Sequence, residues 1–452
     1  MKKQANRQFK ILSTWRWFIG GAVLLFIFSY LFNLQPIIPL FLLSIVLYAK
    51  LIYKDLSHQT YRILNISLIA TLIFVSAYFL LKQGLSLLFL PFSSVSMLAA
   101  LLFNNPFVAL ITTFVAALLI ASLLGNSLYI AMLFIIGGAL SIVLIQGARR
   151  RSIIMRAGLI SGLVQGLISP HNFFILVSSN LLSSIIVLGS LPLFEYLFHT
   201  ITNISLLELA DFNHPLLNRM MLEAPGTYHH SLIVGNLSEA ASRAIGANSL
   251  LSRIGAYYHD IGKLEKPQYF SENQNMEESK HDELSPTMSK LVIMNHVKEG
   301  VELAKAHKLN PELMKFIQQH HGNSLVYYFY RKALENLEDD QEVKEEGFRY
   351  PGPRPETKET AIVLLADSVE AATRAMKNPT PSKIKEVVHK VINNKFIDGQ
   401  LDECDLTLKD LEKISEVFIH ILTGIYHSRV SYPDEKSRSN GKKHSEENSN
   451  QS

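Results

Sequence analysis

Two hydrophobic patterns divide the chain near Thr200. Before it, apolar residues run almost without interruption in stretches close to the ~20 residues a helix needs to cross the hydrocarbon of a bilayer. These stretches fall at about 14–33, 36–53, 63–82, 84–103, 106–124, 127–147, 153–170 and 173–198, with turn signals such as Asn104-Asn105-Pro106, Gly125-Asn126 and Ser169-Pro170 between them. They predict a polytopic transmembrane bundle of about eight helices. After Phe198 the segment ISLLELADFNHPLLNRMMLEAPGTYHHS predicts a linker helix that Pro225-Gly226 interrupts. From Thr227 to about Tyr432 the apolar residues recur mainly at helical spacing, as in SLIVGNLSEAASRAI, PELMKFIQQHH and KETAIVLLADSVEAATRAM, and no convincing pair of alternating strands occurs. The predicted fold class is therefore all-α throughout.

The expected organisation is a transmembrane domain at 1–200, a linker helix at 201–225, a helical soluble domain at 226–432 and a disordered tail at 433–452, polar and rich in Ser, Asn, Lys and Glu. Within the soluble domain, residues 337–359 are acidic and then proline-rich, which predicts an exposed loop.

Charge orients this arrangement. Lys2, Lys3, Arg7 and Lys10 precede the first span, Lys50 and Lys54 follow the second, and Arg149, Arg150 and Arg151 follow the sixth. Basic residues concentrate in cytoplasmic loops, so an even number of spans places both the N-terminus and the soluble domain in the cytoplasm of a multi-pass membrane protein. The net charge of +4 includes no basic block long enough to track a nucleic-acid polymer, which is not expected as a partner; the lipid bilayer is. The single cysteine, Cys404, excludes an internal disulfide framework and a CxxC zinc site. Almost no charge lies inside the spans, so a proton or ion pathway is not expected, and their Gly and Ser residues suit close helix packing.

The candidate chemistry lies in the soluble domain. His230, the pair His259-Asp260, His296, the pair His320-His321 and Asp367 sit among apolar or small neighbours: HHSLIVG, GAYYHDIG, VIMNHV, FIQQHHG and IVLLADS. A carboxylate after Ile-Val-Leu-Leu-Ala is costly to bury unless it is paired or bound to a metal. Adjacent helical residues diverge by ~100°, so His259 and Asp260 fit one site best if the Asp bridges two ions while the His holds one. The same divergence directs His320 and His321 to different ions. Seven His and Asp side chains suit two divalent ions with positions left for water and phosphate, and such an N/O donor set is compatible with Mn, Fe or Zn. Lys263, on the same helical face if the helix continues, could contact a phosphate oxygen as part of the catalytic group with Asp260. A lone buried His is usually a hydrogen-bonded core residue, and His214, His281, His307, His389, His420 and His427 fit that reading. Tyr257, Tyr258, Tyr327, Tyr328 and Tyr330 could stack on bases, although aromatics at helical spacing are more often core.

The order H…HD…H…HH…D resembles the HD-domain metal-dependent phosphohydrolases. More closely, LLELADFNHPLL, EAPGTYHHSLIVGNLSEAA, GAYYHDIGKLEKPQYFSENQ, QQHHGNSLVYYFYRKA and FRYPGPRPETKETAIVLLADSVEAA resemble the seven-transmembrane HD family, whose PgpH-type members hydrolyse cyclic di-AMP. The resemblance implies an HD phosphohydrolase domain at 226–432. It also implies metal ligands at His230, His259, Asp260, His296, His320, His321 and Asp367, with His230 preferred to His229 because the superfamily's first ligand is commonly followed by Ser. Members of the family usually carry a large extracellular domain after the first span. Here only about NLQPIIP separates the first two spans, so an external sensor is expected to be absent.

The expected function is a membrane-anchored metal-dependent phosphodiesterase. Two divalent ions, manganese or iron, would activate a bridging hydroxide that opens cyclic di-AMP to linear pApA. Its expected partners are a cyclic dinucleotide and a second copy in a homodimer. The rival readings are an HD phosphohydrolase acting on another cyclic dinucleotide or nucleotide, and a membrane receptor that binds nucleotide without cutting it.

Overall fold

The computed structural model describes residues 60–124, 127–274, 280–335 and 343–426. The expected spans at 14–33 and 36–53 and the tail at 433–452 lie outside the described residues. Among the described residues every regular element is a helix, and extended backbone pairs only at the isolated antiparallel bridge between Leu325 and Arg349. The chain divides into two compact units: 1–223 with 299–315, and 224–298 with 316–452.

Numbered within the described residues, the first unit contains α1 (Thr60–Lys82), α2 (Ser93–Phe103), α3 (Pro106–Ser122), α4 (Leu128–Ile145), α5 (Arg151–Ile168), α6 (Phe173–Phe198), α7 (Asn203–Leu209) and α8 (Pro215–Glu223). Among the described residues four segments, Asn65–Lys82, Leu128–Ile145, Arg151–Ile168 and Pro170–Phe198, are long and apolar enough to cross a membrane. Leu128, Val143, Leu167 and Phe174 are exposed, as expected of apolar faces that lipid covers. The expected span at 84–103 is broken. A turn at Leu87–Phe89 precedes Pro91, which holds Leu90 in extended backbone, and α2 begins only at Ser93. Ten of its eleven residues are buried, so it is an inner helix rather than a lipid-facing one.

Small residues bring α5 and α6 together: a side chain at Gly162 would meet the Cα of Val177 at 2.9 Å and the Cβ of Asn180 at 3.2 Å. The polar groups carried into this packing pair with one another. Ser93 Oγ donates to Asn180 Oδ1 at 2.5 Å, Asn180 Nδ2 to Gln165 Oε1 at 2.6 Å, and Gln165 Nε2 to the Leu133 carbonyl at 2.6 Å. At the end of α6 the buried Glu195 accepts from the Thr202 amide at 2.8 Å and from Ser205 Oγ at 2.7 Å, fixing the start of α7. The linker expected at 201–225 is thus divided between α7 and α8.

The second unit contains α9 (Pro225–Ile245), α10 (Ser249–Tyr258), α13 (Tyr327–Glu335), α14 (Lys358–Arg374), α15 (Pro381–Ile397) and α16 (Leu408–Ile425). Two further helices, α11 (Pro286–Ala306) and α12 (Pro311–Gln319), have one end in each unit. Its core joins Val234, Leu237 and Ala241 of α9 with Ala256, Phe316, Ile384, Val388, Ile414 and Phe418 around the fully buried run Ala361–Ala366. A run that is apolar on every side marks a central helix. Thr357 opens it with a capping box, its side chain accepting from the Thr360 amide. The candidate metal-ligating His and Asp residues of the sequence hang on this frame.

Candidate metal centre

α9 starts with Pro225 in its first turn and buries one stripe, Thr227, His230, Ser231 and Val234. His230 therefore points inward, while His229 is exposed. α10 ends at Tyr258, and His259 is its last helical-backbone residue. Asp260 (φ −110°, ψ 16°) leaves the helix for a 3-10 turn at Ile261–Glu265. The helix does not continue through Lys263, the condition on which its shared face with His259 and Asp260 depended; the 3-10 turn takes its place. His296 lies within α11, His320 and His321 follow the end of α12, and Gly322 turns the chain with φ +54°. Asp367 comes from the central helix.

All seven residues meet. His230, His259, Asp260, His296, His320 and Asp367 are buried, and His321 is partly exposed. They form two groups able to hold a metal ion: His230, His259, Asp260 and Asp367, and Asp260, His296, His320 and His321. Within each group the donor atoms lie within 4.8 Å of one another. Asp260 belongs to both. Its Oδ2 is 3.2 Å from His259 Nε2 and 3.7 Å from His230 Nε2, and its Oδ1 is 3.4 Å from His296 Nε2 and 3.5 Å from His320 Nε2. Asp367 reaches His230 Nε2 with Oδ1 at 3.1 Å and His321 Nδ1 with Oδ2 at 3.6 Å.

The far nitrogens are occupied, which leaves the converging ones as donors. His259 Nδ1 meets the Ala256 carbonyl at 2.6 Å, His296 Nδ1 the Ile293 carbonyl at 2.5 Å, and His320 Nδ1 the Ile317 carbonyl at 3.0 Å. His230 Nδ1 instead meets the carboxylate of Glu370 at 2.5 Å. Buried His259 Nε2 and both oxygens of Asp260 have no hydrogen bond of acceptable geometry. Unsatisfied, converging lone pairs of this kind are what a cation would satisfy, so the residues fit a divalent metal.

Electrostatics separates the two groups. Burial opposes charge on His259, but Asp260 and Asp367 overcome it and push the imidazole up to about 10. Burial likewise works against the carboxylates, yet their His neighbours, and Lys263 beside Asp260, hold both well below the usual carboxylate range. His296 is pushed down to about 4 by burial and by His320, and His321 is lowered by burial and the same neighbour.

Lys263 is not a free ammonium. Its Nζ is 2.7 Å from Asp260 Oδ2 and 2.6 Å from Glu272 Oε1, and the two acids raise its pKa against the cost of burial. Glu272 is held in turn by Thr227 Oγ1 at 3.2 Å, and a side chain at Gly226 would drive into the Glu272 carbonyl. Sequence reasoning missed Glu272, Glu370 and Tyr350. The ring of Tyr350 stacks on His321 with centroids 4.3 Å apart, although its segment was expected to be an exposed loop. Of the Tyr residues named as base-stacking candidates, Tyr257 and Tyr258 are buried in the core, Tyr330 is half-buried, and Tyr327 and Tyr328 are exposed on α13.

Known proteins resemble both halves of the chain. Residues 227–372 match the HD domain family, and residues 25–202 match the family described as a 7TM receptor with intracellular HD hydrolase. The cyclic-di-AMP phosphodiesterase PgpH of Bacillus subtilis (strain 168) is 38% identical over 435 residues, 90% of this chain and 61% of its own length. The protein of the same name from Listeria monocytogenes serotype 1/2a is 40% identical over 363 residues, 76% of this chain and 50% of its own. This chain thus spans between half and two thirds of the length of these relatives. The crystal structure of the L. monocytogenes PgpH HD domain in complex with cyclic di-AMP is 47% identical, covering 48% of this chain and 100% of that one, with a TM-score of 0.46.

Proposed function

We propose that the chain is a member of the family of 7TM receptors with an intracellular HD hydrolase and, within it, a membrane-anchored, metal-dependent phosphodiesterase that opens cyclic di-AMP to linear pApA; the matches to both family models and to the PgpH relatives support this reading. The observation that carries the chemistry is the position of Asp260, one carboxylate oxygen in each of two groups of buried donors. His230, His259 and Asp367 would hold one divalent ion and His296, His320 and His321 the other, with Asp260 available to both groups. Such ions, manganese or iron, supply a Lewis acid for the phosphate and lower the pKa of water toward neutrality.

The chain's own residues do the positioning. The carbonyls of Ala256, Ile293 and Ile317 fix three imidazole orientations and their tautomers. Lys263, clamped between Asp260 and Glu272, orients the shared carboxylate and adds positive charge beside the phosphate. His321, the partly exposed member of the set, is the ligand that solvent and substrate can reach, and the buried Tyr350 ring stacked on it holds its imidazole in place. Arg149, Arg150 and Arg151 mark the cytoplasmic side, and the two spans that follow them, Arg151–Ile168 and Pro170–Phe198, return the chain to it, so the HD domain works in the cytoplasm.

The test uses the full-length chain in detergent, loaded with Mn²⁺ and offered cyclic di-AMP or cyclic di-GMP, with products separated by chromatography. Appearance of pApA that a chelator abolishes supports the reading. No turnover of cyclic di-AMP by protein with full metal content would sink it, and preferential cleavage of cyclic di-GMP would replace the substrate while leaving the enzyme class intact.

A further inference from the structure

We infer that the two pockets sharing Asp260 are unequal, that the His230 pocket takes up its divalent ion first, and that Glu370 is the positioning residue that makes it do so. The inference rests on the two-ion reading above.

The pockets differ in donor chemistry. The first offers two carboxylates and two imidazoles (Asp260, Asp367, His230, His259), the second one carboxylate and three imidazoles (Asp260, His296, His320, His321). Asp367 therefore gives the first pocket an extra negative charge in a buried setting where charge is weakly screened.

The second difference lies behind the ligands. His259, His296 and His320 turn their far nitrogens to neutral backbone carbonyls. His230 alone among these four turns its far nitrogen to a carboxylate, Glu370 Oε2 at 2.5 Å. A charged acceptor makes a stronger hydrogen bond and leaves the opposite nitrogen a better electron donor. That opposite nitrogen, Nε2, lies 3.1 Å from Asp367 Oδ1 inside the first pocket.

Glu370 meets α9 through His230. It is 1% exposed, and its Oε1 makes no hydrogen bond, with Arg374 at 3.4 Å the neighbouring cation. α9 and α14 share an apolar core in which Val234, Leu237 and Ala241 meet the 361–369 run. A buried carboxylate there costs stability, and the His230 contact is where that cost is recovered. Sequence supports the geometry, since Glu370 lies one helical turn after Asp367 and the same face of α14 presents both acids to His230.

The experiment titrates chelator-stripped full-length protein with Mn²⁺ and follows calorimetry together with electron paramagnetic resonance, which separates an isolated ion from a spin-coupled pair. The wild type is expected to bind in two steps, with an isolated-ion signal at one equivalent. Glu370→Gln keeps the shape and a hydrogen bond but removes the charge; it is expected to weaken the first step ~10–100-fold and leave the second within a few-fold. Glu370→Asp, which keeps the charge at a longer reach, is expected to fall between Gln and wild type. His321→Ala is expected to lose the second step and keep the first. Two ions binding to the wild type with one affinity and a coupled pair from the first additions would overturn the inference, as would an unchanged first step in Glu370→Gln. Because the wild-type and His321→Ala titrations need no Glu370 variant, a misfolded Gln protein leaves the order testable. Because no nucleotide is present, failure to cut cyclic di-AMP would refute the proposed function without touching this result.

Discussion

In the membrane unit the buried amides of Gln165 and Asn180 each end on a partner, one on the other and both on further groups, Ser93 and the Leu133 carbonyl. In the unit that begins at Ala224, His259 Nε2 and Asp260 Oδ1 are as deeply buried and end on no hydrogen bond, while Asp260 Oδ2 has the Lys263 ammonium as an ion-pair neighbour at 2.7 Å. The difference is informative because burial alone does not separate structure from site. Polar groups that satisfy one another are packing devices, neutral and closed. Polar groups that converge, carry charge and leave lone pairs over need something else to complete them.

The comparison breaks most visibly at Asp260. Asp260→Ala removes the one carboxylate common to both pockets and should abolish stoichiometric metal binding. The rate of cyclic di-AMP hydrolysis should fall roughly a thousandfold or more, corresponding to about 4 kcal/mol of transition-state stabilisation. Metal analysis and product assay check it, and a variant that keeps both ions would show that the convergence at Asp260 is not what holds them.

Acidity sharpens the contrast between the pockets themselves. With His259 pushed up to about 10, its proton is still bound at neutral pH, and an ion entering that pocket must displace it. Affinity there should rise roughly tenfold per pH unit for each proton displaced, up to about pH 10, and weaken in acid. His296 is pushed down to about 4 and His321 is lowered as well, so both are already neutral and give up no proton to the second ion. Calorimetry in two buffers of different ionisation enthalpy reads the proton release of each step; equal release in both steps would contradict this.

The closed network offers the opposite test. Asn180→Leu strands Gln165 and should destabilise the bundle by about 1 kcal/mol, with the Asn180→Leu/Gln165→Leu double variant costing less than the sum of the singles. Metal content should not move. Thermal unfolding in detergent with metal analysis reads both, and a strict sum would mean that the amides do not depend on each other. The smallest effect is expected on the surface. Arg151 and Glu208 pair at 2.7 Å with more than half of each side chain exposed, so Arg151→Ala should cost less than about 1 kcal/mol in the same melts.

The pattern of apolar residues was enough to read the all-helical class and the division into a membrane and a soluble part, because helical period and span length are local properties. Pro91 shows where that reading failed. An apolar run of span length contains a turn because one residue forbids helix in its predecessor. At the site, the seven His and Asp positions were legible as a set that resembles a family, and the structure brings them together. Glu370 was not legible, since a carboxylate in ADSVEAA reads as solvent-facing until His230 of another helix is placed against it. Lys263 was legible as a phosphate contact but not its clamp, because Glu272, nine residues on, gives no local sign that it folds back. Tyr350 was hidden by the prolines around it, which mark a loop but not where the loop goes.

The pairing of Gln165 with Asn180 also bears on how the protein is made. Asn180 follows Gln165 by fifteen positions, so Gln165 leaves the ribosome first; the Leu133 carbonyl of α4 can take its Nε2, but its Oε1 has no partner until α6 arrives. Lipid offers that amide nothing. The chain therefore gains by holding α5 at the insertion machinery until the short turn at Pro170–Asn172 has brought α6 alongside, so that the two helices partition into the bilayer as one hairpin.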